Sequence, residues 1–373
     1  MLAITGRSMV TCLGDREETF AALVRGHDGA RPLLCGLPEK LNVRTGYHID
    51  PAETATEWLL RCVTEAIADA GLDPAHGRID VVVGTGLREL RQVERRHLEG
   101  AALPAHGLHF RQALRAAVPA IGEVHTLANA CAASGYALAL AADMITLGEA
   151  DAVVAAGCDG MTESMLAIIG RVGEHPADMV RPFDIARGGA LLGEGAAAVV
   201  LTRLQREGQV GTVHGIVRGV GLSCDASHET APDQTGIVRA IRDAHDRARI
   251  GVEEIDLVLA HGTGTALNDP TEAAALTEVF GPDGPLVTGI KGAVGHTSGS
   301  ASLMSSLVAL ESMRSSVVPP VVGLRTPIDE AVKLKLVRTG DRVRQQSRIT
   351  QVNAFGFGGV NAVTILEAAP SEG

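Results

Sequence analysis

Two stretches of this chain are near copies of each other. IDVVVGTG (residues 79–86) and IDLVLAHGTGT (255–265) each carry an apolar strand directly into a glycine turn. A strand buried on both faces and closed by such a turn belongs to parallel α/β architecture, where ligands gather beyond the carboxyl ends of the strands. Its recurrence in the two halves points to an internal duplication. The intervening sequence agrees. DAVVAAG (151–157), GAAAVVLTR (195–203), TVHGIVRGVGL (212–222), ITQVNAFG and VNAVTILEA read as strands. LLRCVTEAIADAG (59–71), TGIVRAIRDAHDRA (235–248) and roughly 271–280 have helical periodicity. No low-complexity linker interrupts the alternation. The chain therefore reads as one α/β unit made of two similar halves, residues 1–204 and 205–373.

Net charge is −11 and no basic stripe is present, which argues against nucleic acid as a partner. The Arg-rich stretch RELRQVERR (88–96) is a candidate docking patch for an acidic protein, with a solvated helix face as its plainer explanation. The first residues, MLAITGRSMV, lack the basic region and apolar run of a secretory signal. No uninterrupted apolar stretch approaches the roughly 18 residues of a membrane span. The six cysteines are scattered without a CxxC pair, so neither a disulfide framework nor a metal site is expected. A reducing cytoplasm is the expected setting.

One of those cysteines sits in unusual company. ANACAASG (128–135) places Cys131 among very small residues, after a strand-like GEVHTL and before an apolar helical run. At such a junction the unpaired N–H groups of a helix end favour a thiolate. A free core thiol is the competing reading. Three other strand-end turns supply possible partners. HGTGTALNDPTE begins at His261, KGAVGHTSGS spans Lys291 and His296, and NAFGFGGVN holds Phe355 and Phe357. Only four lysines occur in the chain, so Lys291 in a glycine-rich turn invites a reason. Cys131 with His261 and His296 fits a nucleophile with imidazole partners, and backbone N–H groups of the glycine turns can hold an oxyanion.

With these motifs in hand, the chain resembles the β-ketoacyl-acyl carrier protein synthases of the thiolase fold, nearest the elongating type and its type II polyketide relatives. MVTCLGDREETFAALVRGHDGARPL (9–33) and RPFDIARGGALLGEGAAAVVL (181–201) extend the resemblance nearly end to end. It implies two βαβαβαββ halves in a layered αβαβα sandwich. It also implies a decarboxylative Claisen condensation of an acyl thioester on Cys131 with malonyl-acyl carrier protein, in fatty acid or polyketide-type biosynthesis. Cys131 would be the nucleophile, its N–H and that of Phe357 the oxyanion hole, and His261 and His296 the decarboxylating pair. Lys291 would hold the His296 region electrostatically, supported by Asp269 and Glu272. Thr263 and Thr265 would bind the pantetheine arm, with Phe355 and Phe357 completing the substrate site and Phe357 acting as its gate. No cofactor beyond the carrier's phosphopantetheine is implied. The partners would be an acyl carrier protein and a second subunit, identical or ketosynthase-like.

The sequence also departs from the family. Residues 87–125 are shorter than usual, Asn129 is unusual, and Ser305 stands near the place of a family Glu. Two alternatives follow: a Cys131-dependent acyltransferase of the same fold that does not condense, and a non-catalytic partner subunit resembling a chain-length factor. The second is disfavoured because such partners lose the cysteine that this chain keeps. A nicotinamide dehydrogenase is weaker still, since GTGLRE lacks the third glycine of the dinucleotide fingerprint. The remaining cysteines, His106, His109, His125 and Trp58 read as packing or surface residues. The whole reading requires an ionised sulfur at position 131 sharing one cavity with the imidazoles at 261 and 296.

Overall fold

Successive strand side chains point to opposite faces, and here both faces are packed. The computed structural model describes residues 1–35, 38–50, 52–100, 102–172, 176–204 and 211–370. The first half contributes β1 (Leu2–Thr11), α1 (Ala55–Asp69), β2 (Ile79–Gly84), α2 (Leu90–Glu99), α3 (Phe110–Ala117), β3 (Ile121–Leu127), α4 (Ala133–Leu147), β4 (Ala152–Asp159), α5 (Glu163–Val172) and β5 (Gly195–Arg203). The second contributes β6 (Gly215–Cys224), α6 (Gln234–Ala248), β7 (Leu257–Leu259), α7 (Asn268–Phe280), β8 (Leu286–Thr288), α8 (Ala301–Ser315), β9 (Ile349–Gly356) and β10 (Val360–Ala368). The expected boundary at 204/205 adjoins residues 205–210, which lie outside the described residues.

The duplication read from the sequence is carried by the hydrogen bonding. Strands run β3-β2-β4-β5-β1 in the first half and β8-β7-β9-β10-β6 in the second. In each set the first three strands are parallel and the rest antiparallel. The sets meet where β1 pairs with β6, Ala3 opposite Ile216. Helices α4 and α8 pack together between the half-sheets, α1 and α3 cover the outside of one, and α6 and α7 cover the other. The result is the layered αβαβα sandwich.

Alternation along single strands explains the layers. Val81 and Val83 of β2 join Trp58 and Leu59 in the outer core, while Val82 joins Leu138 in the central one. In β4, Val154 and Ala156 face outward and Val153 and Ala155 inward. Apolar residues at consecutive positions are thus needed on both faces. Helix α1 starts earlier than its periodicity suggests, because Thr54 and Glu57 form a capping box. Helix α7 likewise begins at Asn268, whose N–H donates to the Thr265 hydroxyl at 3.1 Å.

Ala130–Leu147 forms an 18-residue stretch of mean hydropathy 1.5, long and apolar enough by composition to span a membrane. It is the core element between the two half-sheets, where Ala137, Leu138, Ala141, Met144 and Ile145 are buried in the central core. The Arg-rich stretch around α2 is a solvated helix face, as its plainer reading had it, with several of its arginines engaged. Arg91 pairs with buried Glu194 at 2.9 Å, Arg95 with Glu99 at 3.2 Å, and Arg96 donates to the Leu103 carbonyl at 2.8 Å. Trp58 is buried, as expected, with its indole N–H donating to Glu53 at 2.6 Å. His106, His109 and His125 are exposed, and all six cysteines are free thiols.

Candidate active site

Four strand ends deliver the candidate residues to one crevice. The chain leaves β3 through a short 3-10 turn, Ala130–Ala132, that carries Cys131 into α4. His261 follows β7 after one further residue, where the expected longer strand breaks off. Beyond β8 a short helix, Lys291–Val294, leads to His296, and the β9–β10 connection holds Phe357. Cys131 comes from one half of the fold and the rest from the other. The crevice lies at the seam between them.

The backbone is strained around this seam. Ala130 has φ 47°, Ser298 φ 49° and Phe183 φ 60°, a region that side chains other than glycine rarely adopt. Ala130 precedes the cysteine, Ser298 follows His296 by two, and Phe183 packs against the His261 turn at Gly262. Gly356 is required for close approach, since a Cβ there would lie 3.2 Å from both the Ala130 Cβ and the Cys131 nitrogen.

Cys131, His261, His296, Thr263, Thr265, Phe355 and Phe357 line a single pocket with about 100 Å³ of interior room. Met165, Ile169 and Leu192 form an apolar wall, and His228 with Thr230 to Pro232 lies along the mouth. The rings of His261 and His296 are 5.4 Å apart between centroids, and Phe355 stands 5.6 Å from His261. The hydroxyls of Thr263 and Thr265 are hydrogen-bonded at 2.9 Å. Phe355 is buried, whereas Phe357 is 48 % exposed at the rim.

Each imidazole has one nitrogen engaged from behind. The Ser298 N–H donates to His296 Nδ1 at 3.1 Å, and the Lys291 ammonium lies 3.3 Å from His261 Nδ1 while also donating to the His261 carbonyl. With Nδ1 accepting, both rings carry their proton on Nε2. Burial and the nearby Lys291 charge hold both well below the ordinary histidine range, so both are neutral donors.

Lys291 touches His261, a contact the sequence did not suggest, and its charge acts on His296 through space. Burial lowers Lys291 to about 8, against the opposing pull of Glu272, Cys131 and Asp269. Asp269 and Glu272 act on the backbone more directly than on the lysine. Glu272 accepts the N–H groups of His261 and Gly262 at 2.7 and 2.8 Å. Asp269 accepts those of Phe183, Thr263 and Gly264 at 2.6 to 3.1 Å.

The expected thiolate is not the resting state. Burial pushes the Cys131 thiol up to about 11, even though Lys291 and the N–H groups of Phe357 and Cys131 itself pull the other way. Desolvation outweighs the helix end at this depth. What the N–H groups of residues 131 and 357 do supply is a pair of donors converging beside the sulfur.

Asp159 was missed by sequence reasoning. Buried at the end of β4, it accepts from the Thr85 hydroxyl and from the N–H groups of Gly86, Leu87 and Gly299 at 2.6 to 2.8 Å. It ties the β2 turn to the turn that holds His296. The one available signal was an acid closing an otherwise apolar strand. Ser305 is buried in α8.

With this geometry established, comparisons with known proteins add a second line. Residues 48–207 match the N-terminal domain of the β-ketoacyl synthases and residues 214–325 their C-terminal domain. A 3-oxoacyl-[acyl-carrier-protein] synthase 2 of Rhizobium meliloti is 30% identical over 98% of this chain and 98% of its own. Nodulation protein E of the same species is 35% identical over 65% of this chain and 61% of its own. Among solved structures, the ishigamide ketosynthase/chain length factor superposes with a TM-score of 0.89 at 31% identity, covering 99% of both chains. A β-ketoacyl synthase from Burkholderia phymatum gives 0.87 at 24% identity with the same coverage, a likeness of fold.

Proposed function

The chain belongs to the β-ketoacyl synthase family and is a condensing ketosynthase of the acyltransferase class; from that premise we propose how its own residues carry the reaction. An acyl thioester enters along the apolar wall of Met165, Ile169 and Leu192, and Cys131 sulfur attacks its carbonyl. The N–H groups of Cys131 and Phe357 take the developing oxyanion. The carbon–sulfur bond to the incoming pantetheine breaks, and the cysteine proton ends on the departing thiol. Because burial pushes the resting thiol up to about 11, it attacks as a thiol that gives up its proton as the new carbon–sulfur bond forms, with the Lys291 charge pulling the other way against burial.

A malonyl thioester then occupies the same pocket. Its carbonyl accepts the Nε2–H groups of His261 and His296. Its carboxylate leaves as CO₂, and the electron pair passes into an enolate that the two donors stabilise. The enolate carbon attacks the acyl-cysteine carbonyl, the carbon–sulfur bond breaks, and Cys131 is released from a 3-ketoacyl thioester. Neutral imidazoles suit this step, because each must donate to a negative oxygen without surrendering its proton. Thr263 and Thr265 hold the pantetheine arm, and Phe357 gates the pocket. Lys291, with Asp269 and Glu272, keeps the His261 turn in place. No metal or organic cofactor enters the scheme.

The observation that carries this reading is the pair of Nε2–H donors in one pocket with Cys131. The substrates are proposed to arrive on an acyl carrier protein, and the working unit is proposed to be a dimer with an identical or ketosynthase-like subunit in the cytoplasm. No specific observation favours the acyltransferase or partner-subunit alternatives. Purified protein given acyl- and malonyl-carrier tests the reading. Ketoacyl product with CO₂ release is expected, and acyl-enzyme that discharges only to non-malonyl acceptors would overturn it.

A further inference from the structure

Strand β9 carries polar side chains where its neighbours are apolar. Gln351 and Asn353, two apart and hence on one face, are 0% and 2% exposed. His245 of α6 is buried beside them, its ring centroid 5.9 Å from that of Phe280. Burying two amides and an imidazole is costly unless their donors and acceptors are met. Here they are met in a single direction. His245 Nε2 lies 2.8 Å from Gln351 Oε1. Gln351 Nε2 donates to Asn353 Oδ1 at 2.8 Å, and Asn353 Nδ2 donates to Glu272 Oε1 at 3.0 Å.

An amide oxygen only accepts, so His245 must carry a proton on Nε2. That proton fixes the orientation of both amides in turn. Reversing either amide would break the chain, and reversing Asn353 would set its oxygen against the Glu272 carboxylate. The chain ends on the carboxyl group that receives the His261 and Gly262 N–H groups. Glu272 is also the foremost opposite charge acting on Lys291. Apolar side chains of similar volume would fill the same space without the cost of burying polar groups. A satisfied polar line running from α6 to the active site therefore has a use there.

We propose that His245, Gln351 and Asn353 are positioning residues for the condensation, a hydrogen-bond relay that keeps a donor on Glu272 and so holds Lys291 and His261 in working order. This rests on the ketosynthase reading of the site. None of the three touches the pocket, and each acts through the next.

The test uses Gln351→Leu, His245→Leu and the double variant in the full chain. CO₂ release from malonyl-N-acetylcysteamine and acylation of Cys131 by hexanoyl-N-acetylcysteamine are measured separately, together with the melting temperature. The relay predicts that kcat for CO₂ release falls about fivefold in each single variant with KM unchanged, a larger loss than that of Cys131 acylation. The double variant should be no worse than either single, because one broken link already undoes the line. A second readout needs no substrate. Alkylation of Cys131 by iodoacetamide senses the charges facing the sulfur, Lys291 and Asp159, with the His261 and His296 imidazoles alongside. A weakened hold on Glu272 should shift that profile to higher pH in the variants. Folded variants with wild-type CO₂ release and an unmoved alkylation profile would overturn the relay. Parallel loss of both half-reactions together with the melting temperature would do the same, since it marks a merely structural role. Absence of CO₂ release from the wild type would instead end the ketosynthase reading, and the alkylation profile alone would then decide the relay.

Discussion

The rings of His261 and His296 meet edge to face, their planes inclined at 82°. They come from separate turns, and each has its inner nitrogen engaged by a different donor, the Lys291 ammonium for one and the Ser298 N–H for the other. Two outward Nε2–H groups in one pocket make a clamp for a single developing oxyanion.

Cys131→Ala should form no acyl-enzyme. Intact-protein mass spectrometry after incubation with a panel of acyl-carriers should show one added acyl group on the wild type and none on the variant. Condensation should fall by about 10³-fold or more. The same panel reports which chain length the pocket accepts.

His261→Ala and His296→Ala should each slow CO₂ release by about 10²- to 10³-fold, the usual loss for one oxyanion donor. Acylation of Cys131 should persist in both, because its oxyanion is held by backbone N–H groups. The double variant should fall short of the product of the two effects. Separate assays of the half-reactions check this.

On the acid side of the pH profile neither histidine should add a step, because burial keeps both neutral there, and a decline near pH 6 is expected from Asp159 and Asp269, which burial raises to about 6. On the alkaline side the profile should decline as Lys291 loses its proton above about 8. Lys291→Met should remove that limb. From about pH 8 to 10.5 the unfolded chain still binds the lysine proton that the folded one has released. This group's contribution to stability therefore rises with pH in that window. CO₂ release and urea unfolding across the range test the two statements.

Asp159→Ala would leave the N–H groups of Gly86, Leu87 and Gly299 without their acceptor. Urea unfolding should show a loss of about 3 kcal/mol, the scale for uncovering buried donors. Because Gly299 adjoins the turn that sets the His296 tautomer, CO₂ release should suffer more than Cys131 acylation.

Thr263→Val with Thr265→Val should raise KM for carrier-bound thioesters while leaving kcat within about twofold. A comparable fall in kcat would place the threonines at the reacting centre.

The duplication, the strand ends and the residues gathered there were legible because each is a local pattern. An apolar strand followed by a glycine turn reads the same in β2 and around β7. The small residues flanking Cys131 signalled close approach, and Gly356 against its nitrogen is that approach realised. Other features had no local mark. Asp159 is one acid after one strand, and its four partners come from the β2 turn and the turn beyond His296. His245 lies in an ordinary helical repeat, and only packing sets it against Gln351.

The amino-acid sequence by itself determined the two-half architecture and the set of chemical groups available at the strand ends. Tertiary structure decided their states: a protonated Cys131, a lysine lowered to about 8 and two neutral imidazoles with the proton on Nε2. It also decided that Lys291 bonds to His261 and not to its nearer sequence neighbour His296. The physical reason is that charge state and tautomer depend on lost water and on donors and acceptors from distant segments. Neither exists until the halves close on each other.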